Sequence, residues 1–166
     1  IVAEDGYPDQ YFGKALSVSG DRVLIGTNED REKGYRAGAA YIFDFDGNDW
    51  LQSDKLLGHD IADQDAFGLS VSLSGDTALV SAPYFGLENK GATYVYKFDG
   101  VVWSQYAKMQ ANDGGIGDLY GYGVGLLGGM AICGTVYDLD RGYLSGSAYV
   151  YDLDGDFDLI FRSGMD

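Results

Sequence analysis

The sequence predicts an all-β protein built from three copies of one four-stranded antiparallel unit. Phe67-Gly68 follows Phe12-Gly13 by 55 residues, and Tyr120-Gly121 follows Phe67-Gly68 by 53 residues. Gly75-Asp76 keeps the same 55-residue offset from Gly20-Asp21. A fixed period of this length is typical of one supersecondary unit repeated along a chain. No segment combines sustained helical periodicity with capping residues, so we assign every unit to strands.

Each unit contains four short segments with strand character. In the first unit, Leu16-Ser17-Val18 and Val23-Leu24-Ile25 are joined by a tight turn with Gly20, which supplies the positive φ that such a turn requires. The third segment, Ala40-Tyr41-Ile42-Phe43, is rich in β-forming residues. An Asp-Gly pair, a strong hairpin signal, leads from it to the fourth segment, which begins at Trp50. The predicted units are residues 1–55, 56–108 and 109–166.

Apolar residues that recur among the units are expected to form the core. In the first two strands they are Val18, Val71, Val124, Ile25, Val80 and Cys133. Cys133 is the single cysteine, so an internal disulfide is excluded. We interpret it as a small buried hydrophobe, because an isoleucine or a valine stands at its position in the other units.

The composition excludes some classes of function. Eleven Lys+Arg against 26 Asp+Glu give a formal net charge of −15, which repels the phosphates of nucleic acids and favours cationic or basic partners. A hydrophobic content of 46% predicts a packed core rather than disorder. No apolar run approaches the roughly 20 residues of a membrane-spanning helix. We therefore expect neither nucleic acid binding nor a membrane span.

Four antiparallel strands in about 50 residues match one blade of a β-propeller. The second unit, with Phe67-Gly68, Ser81-Ala82-Pro83 and Gly91 to Tyr96, resembles the FG-GAP repeat of integrin-type propellers, in its bacterial and algal form. The resemblance covers the whole chain. It implies three propeller blades that serve as a non-catalytic module for protein–protein interaction, adhesion or structural assembly. It also implies an extracellular, cell-surface or other exported location.

One feature of that family is not expected here. Integrin-type blades often carry a calcium loop between the first and second strands, but this chain has only short turns such as Ser19-Gly20-Asp21. Calcium takes about six to eight oxygen ligands, which such a turn cannot supply. No cofactor is therefore predicted, and calcium is not favoured. The weak metal candidates are Asp138 and Asp140; the carboxylates from Asp152 to Asp158 are interpreted as a hairpin turn.

The loops suggest a binding surface. The connectors between units and the loops between second and third strands should emerge on one face, and they hold more than half of the acidic residues. The candidate partner-binding residues are the carboxylates and tyrosines of these loops: Asp5, Asp9, Tyr35, Asp60, Asp63, Asp65, Tyr84, Asp113, Asp118, Tyr137 and Tyr143. The bound partner would be a protein or, in a lectin-like reading, a glycan. The alternative is that these are solvated loops that use Asp as a turn former.

Catalysis has little support in the sequence. His59 is the only histidine, and no nucleophile-elbow glycine pattern accompanies any serine. Carboxylate pairs of the kind that glycosidases use are too numerous to be informative. We predict a non-enzyme, with an accessory subunit of a larger complex and a hydrolase as further alternatives.

Three blades raise a question of closure. Propellers typically close with four to eight blades, so three would leave open sheet edges. Those edges are expected to meet further blades, a second copy of the chain or a partner subunit. The rival fold is a β-trefoil, in which three four-stranded units close around a threefold axis.

Overall fold

The structure, a computed structural model, describes residues 1–139 and 141–155, and the backbone of 159–162. The described residues form twelve β-strands and no helix, so no helix among them could span a membrane. Blade 1 consists of Ala15–Ser19 (β1), Arg22–Thr27 (β2), Ala39–Phe45 (β3) and Trp50–Leu56 (β4). Blade 2 consists of Val71–Ser74 (β5), Thr77–Ala82 (β6), Ala92–Phe98 (β7) and Trp103–Met109 (β8). Blade 3 consists of Gly123–Leu127 (β9), Met130–Thr135 (β10), Ser147–Asp152 (β11) and Leu159–Arg162 (β12).

Each blade is one antiparallel sheet with its strands in chain order. The sheets stack in sequence, with β1 beside β5 and β5 beside β9. The all-β prediction and the three four-stranded blades are confirmed, and the architecture is that of a partial propeller rather than a closed trefoil. The unit boundaries stay a prediction; β4 and β8 each run one residue past them.

The core lies between the blades, where one face of each sheet packs on the opposite face of the next. Leu24 and Ile42 of blade 1 belong to the same buried cluster as Val71, Val80 and Tyr94 of blade 2. A second cluster joins one face of blade 2 to the facing side of blade 3: Leu79, Val95, Cys133, Tyr149 and Tyr151. Because blades join through faces, the two ends of the stack present sheet faces. On blade 1, the connector with Phe12 covers Ile25, Tyr41 and Phe43, and the part of the face over β1 stays uncovered.

The register corrects one core prediction. Leu16 pairs with Ile25, as Val71 pairs with Val80 and Val124 with Cys133, so Leu16 and not Val18 is the counterpart of Val71. Ile25, Val71, Val80 and Cys133 are buried, and Val124 is half-buried. Val18 is 67% exposed, so the expectation of burial was wrong. The physical reason is that no preceding blade covers its face of blade 1.

The Phe-Gly pair of the repeat marks the place where a connector crosses between blades. Phe67 is fully buried, and its ring meets the ring of Tyr94 edge-on at 5.3 Å. Gly68 has a φ of +85°, and a Cβ there would collide with the carbonyl oxygen of Ala39 in the preceding blade. The aromatic ring therefore anchors the connector, and the glycine permits close approach of two backbones.

Serine hydroxyls join the first strands of adjacent blades. At the first interface, the backbone N–H of Leu73 donates to Ser17 Oγ (2.9 Å). The N–H of Gly75 donates likewise to Ser19 Oγ (3.0 Å). Three bonds of this kind, of 3.2, 2.9 and 3.1 Å, cross the second interface, from the N–H groups of Val124, Leu126 and Gly128 to the hydroxyls of Ser70, Ser72 and Ser74. The first interface has two, because Ala15 stands where blade 2 has Ser70. We call this set the serine ladder.

An arginine fastens blade 1 to blade 2 at the hairpin end of the stack. Arg22 Nε donates to Asp44 Oδ1 (2.7 Å) in blade 1, and Nη1 donates to Asp76 Oδ1 (3.0 Å) in blade 2. The guanidinium also lies 4.5 Å from the ring centroid of Phe98 and 5.1 Å from that of Trp103. Thr77 and Met130 hold the equivalent positions in the other blades, so this fastening is specific to one interface.

Candidate functional site

The connectors lie against the loops between the second and third strands, as expected from the sequence. The backbone N–H of Gln64 donates to the carbonyl of Tyr35 (2.7 Å), and that of Tyr120 to the carbonyl of Lys90 (2.9 Å). Short parallel bridges, Gly38 with Phe67 and Gly91 with Tyr120, continue the contact. We call the resulting surface the loop face; it comprises residues 1–14, 28–38, 57–70, 83–91, 110–122, 136–139 and 141–146.

One structural unit recurs under the loop face. The hydroxyl of Tyr41 donates to Asp5 Oδ1 (2.9 Å), and Lys55 pairs with the same carboxylate. Tyr94 and Lys108 hold Asp60 in the same way in blade 2. In blade 3, the hydroxyl of Tyr149 donates to Asp113 Oδ1 (2.8 Å). The candidates Asp5, Asp60 and Asp113 therefore anchor their connectors to the third strand of each blade.

The ionisation of these anchors follows from their partners. Burial alone would raise the pKa of Asp5, but hydrogen bonds from Lys55 and Tyr41 outweigh it and leave the pKa below its usual value. The pKa of Asp60 is lowered in the same way: burial opposes the shift, and the hydrogen bond from Lys108 contributes most to it. Both carboxylates are therefore ionised at neutral pH.

Blade 1 extends its anchor into a buried polar network that the sequence did not reveal. Asp30 is 1% exposed and accepts hydrogen bonds from Gln10 Nε2 (2.9 Å), Tyr41 OH (3.2 Å) and Lys55 Nζ (3.1 Å). Lys55 also pairs with Glu32 at 2.8 Å. Burial opposes the protonated lysine, but its four hydrogen-bonded partners raise its pKa above the usual range. The signal available in the sequence was a lysine in the fourth strand opposite a tyrosine in the third.

Four of the predicted residues share one depression on blade 2. Asp60, Asp63, Asp65 and Tyr84 line a cavity of about 420 Å³, together with apolar neighbours such as Phe85. Asp65 is buried and accepts hydrogen bonds from the N–H groups of Ala62 (2.8 Å) and Gly86 (3.2 Å). Burial nevertheless raises its pKa above the ordinary value.

Tyr35 reaches the same region from blade 1. Its backbone N–H donates to Asp63 Oδ1 (3.0 Å), and its ring is 55% exposed. The ring also lies beside Arg31, whose guanidinium carbon is 5.5 Å from the ring centroid. An exposed aromatic ring and several carboxylates are thus held together by backbone contacts.

The remaining candidates are spread over the other blades. Asp9 is exposed and lines a separate depression near Tyr7 and Pro8. Asp118 is buried and accepts a hydrogen bond from the N–H of Gly115 (2.6 Å). The N–H of Tyr137 donates to the carbonyl of Asp118 (3.4 Å). Tyr143 is 89% exposed. The predicted residues therefore lie along the loop face of three blades rather than in one pocket.

The structure gives no support to a resident metal in the part of the chain it describes. Asp138 is buried, and its carbonyl accepts hydrogen bonds from the N–H of Gly146 and the hydroxyl of Ser145. Asp140 lies outside the described residues, as do Asp156 and Asp158. No group of three or more His, Cys, Asp or Glu side chains among the described residues is arranged to hold a metal ion.

Asp152 occupies a turn that the other blades share. The N–H groups of Asp154 and Gly155 donate to Asp152 Oδ1. Asp46 and Asp99 accept equivalent pairs of N–H groups at the hairpin tips of blades 1 and 2. This carboxylate closes a hairpin, which agrees with its interpretation as a turn residue.

Comparisons with known proteins agree with this architecture. The family model of the FG-GAP repeat matches residues 1–43, 50–96 and 103–151, so the chain belongs to the FG-GAP repeat family. Among solved structures, Saccharomyces cerevisiae Sqt1 is similar, with a TM-score of 0.59 and 12% sequence identity. The similarity covers 94% of this chain and 36% of Sqt1, so the chain spans about a third of that protein's length. At this identity the likeness shows the fold alone. The comparison with curated proteins found no match.

Proposed function

We propose that this chain is a non-catalytic propeller module that binds a basic protein segment through its loop face. The observation that carries the proposal is that exposed tyrosine rings lie beside carboxylates on the loop face. Tyr35 and Tyr84 adjoin Asp63 and Asp65, and Tyr143 adds a third exposed ring in the corresponding loop of blade 3. Membership of the FG-GAP family supports a module of this kind. We further propose an extracellular or cell-surface setting, on the strength of the family alone.

The physical argument concerns rigidity and charge. Tyrosine offers a large amphipathic contact area with few rotatable bonds, and tyrosine is enriched at protein interfaces. The loops that carry these rings are held by backbone hydrogen bonds, such as those from Gln64 to Tyr35 and from Gly146 to Asp138, so little conformational entropy is lost on binding. A net charge of −15 attracts basic partners over long range and speeds their encounter with the acidic face.

Binding to defined probes tests the proposal. We would measure fluorescence anisotropy with three labelled peptides of equal length, one rich in Arg and Lys, one neutral and one acidic. The loop-face variant carries Tyr35→Ala, Tyr84→Ala and Tyr143→Ala. Its matched control carries Leu51→Ala and Val101→Ala, which are exposed but lie outside the loop face. The basic peptide should bind wild type and control equally, and the loop-face variant about tenfold more weakly, or about 1.4 kcal/mol.

Salt and glycans complete the design. Binding of the basic peptide should weaken as ionic strength rises, because exposed charges are screened. Equal losses in the loop-face variant and the control, or equal binding of all three peptides, would contradict the proposal. Binding on a glycan array that disappears in the loop-face variant would instead favour the carbohydrate-binding reading.

A further inference from the structure

We infer that the uncovered face of blade 1 is a docking site for a further FG-GAP-type blade whose first strand carries Ser-x-Ser-x-Ser. The inference concerns the uncovered part of the outer face of blade 1, which meets the loop face only at Ile1, and it does not depend on the proposed function. It specifies both the surface and the chemistry of its occupant.

The surface is a compact apolar patch over β1; the remainder of this face, with Tyr41 and Phe43, is already buried under the connector residue Phe12. Leu16 is 70% exposed and Val18 67% exposed. These two side chains line a cavity of about 310 Å³ together with Ile1, Val23 and Ile25. In blade 2 the equivalents of Leu16 and Val18 are Val71 and Leu73, which are 7% and 5% exposed because blade 1 covers them.

Blade 1 also presents the hydrogen-bonding half of a blade interface. The serine ladder uses N–H groups from the first strand of the following blade, at Val124, Leu126 and Gly128 in blade 3. The repeat places the N–H groups of Leu16, Val18 and Gly20 at these positions in blade 1. A blade docked here would therefore reproduce the second interface if it supplied hydroxyls where blade 2 has Ser70, Ser72 and Ser74.

The need for serine hydroxyls as acceptors disfavours a second copy of this chain as the occupant. Only blade 3 of another copy could present the matching face of a blade here, because those faces of blades 1 and 2 are already covered. Blade 3 has Gly123, Gly125 and Leu127 where blade 2 has its three serines. It therefore lacks all three hydroxyl acceptors of the ladder. The chemistry of the interface favours a serine-bearing blade over blade 3.

The test adds such a blade to the full chain. Residue Ile1 stands at the repeat position of Leu56 and Met109, so a copy of residues 56–108 joined directly before Ile1 keeps the spacing. A Val18→Cys substitution then shows whether the added blade buries position 18, because a buried thiol is labelled more slowly at neutral pH. Cys133 does not interfere, because it is fully buried and burial raises its pKa to about 11. A Val101→Cys chain, 82% exposed at a hairpin tip, is the matched control.

The expected result is a fall of at least tenfold in labelling at position 18 in the fusion, with no change at position 101. In a second fusion, Ser70→Gly, Ser72→Gly and Ser74→Gly are introduced in the added copy only. Labelling at position 18 should then return at least partway to the rate of the unfused chain.

Three outcomes would overturn the inference. The first is equal protection by the serine and glycine copies, which would show that the hydroxyls do not select the occupant. The second is protection of the unfused chain that rises with concentration as a dimer forms in sedimentation, which would make a second copy the occupant. The third is rapid amide hydrogen exchange in the added copy while the amides of the original chain stay protected. A blade that docks on a matching face should be folded and therefore protected from exchange.

Discussion

Replacing Val71 by alanine tests the stacking of blades 1 and 2. Val71 is 7% exposed and packs in the cluster that contains Leu24 and Ile42 of the neighbouring blade. The substitution removes two buried carbon groups, worth about 0.8 kcal/mol each in transfer free energy, or about 1.6 kcal/mol. The cavity that remains adds to this cost. We expect a loss of about 1.5–3 kcal/mol in the free energy of unfolding.

The repeat supplies a matched control at the same position of the preceding blade. Leu16 holds the place of Val71 in blade 1 but is 70% exposed, so Leu16→Ala should cost less than about 0.7 kcal/mol although it removes more carbon atoms. Urea unfolding of both variants, followed by circular dichroism at low micromolar concentration, measures the difference. If Leu16→Ala cost as much as Val71→Ala, blade 1 would have to be covered in solution, and the reasoning from this structure would be refuted.

Three further predictions concern charge. Arg22→Ala should lower the free energy of unfolding in urea by about 1–2 kcal/mol, mainly because stacking on two aromatic rings is lost. The ion pair with Asp76 should contribute little, since that carboxylate is 71% exposed. Wild-type stability in Arg22→Lys would contradict this. The folded pKa of Asp60 is lowered, so its stabilisation is present above the unfolded value near 3.8 and lost as pH falls. Acid titrations should therefore show a flatter decline for Asp60→Asn. Calcium and chelator should give similar melting temperatures; a large rise with micromolar calcium would contradict this and indicate a calcium site in the chain.

The architecture could be predicted from the sequence because the patterns that indicate it are local. The pair of an aromatic residue and glycine and the glycine of the first turn recur at fixed offsets, and each glycine has a positive φ. These signals place the three sheets. Burial is less readable, since Leu16 and Val18 look as apolar as Val71 and Leu73. Whether such residues are covered depends on the presence of a neighbouring blade, which no pattern inside one blade reports.

The candidate site could be predicted only in part, because its contacts join residues that are far apart in the sequence. The recurrence of Asp5, Asp60 and Asp113 is visible in the sequence, but their partners lie in other strands. Tyr41 is 36 residues from Asp5, and Lys55 is 50 residues from it. Only the register of the third and fourth strands brings the three side chains together. Three of the carboxylates predicted to bind a partner therefore also hold the connectors.

The anchors explain how one fold can carry different loop surfaces. Lys55 and Lys108 stand at the same place in blades 1 and 2 and bind the equivalent connector aspartates. Their second partner differs, because Lys55 pairs with the buried Asp30 whereas Lys108 lies 4.4 Å from the ring centroid of Phe85. The lysine at this repeat position thus forms an ion pair in blade 1 and a cation–π contact in blade 2, each with the residue at the same position of the loop. The loop above can exchange a carboxylate for an aromatic ring while the connector stays fixed. The side chains of the loop face can therefore change from blade to blade without altering the packing between them.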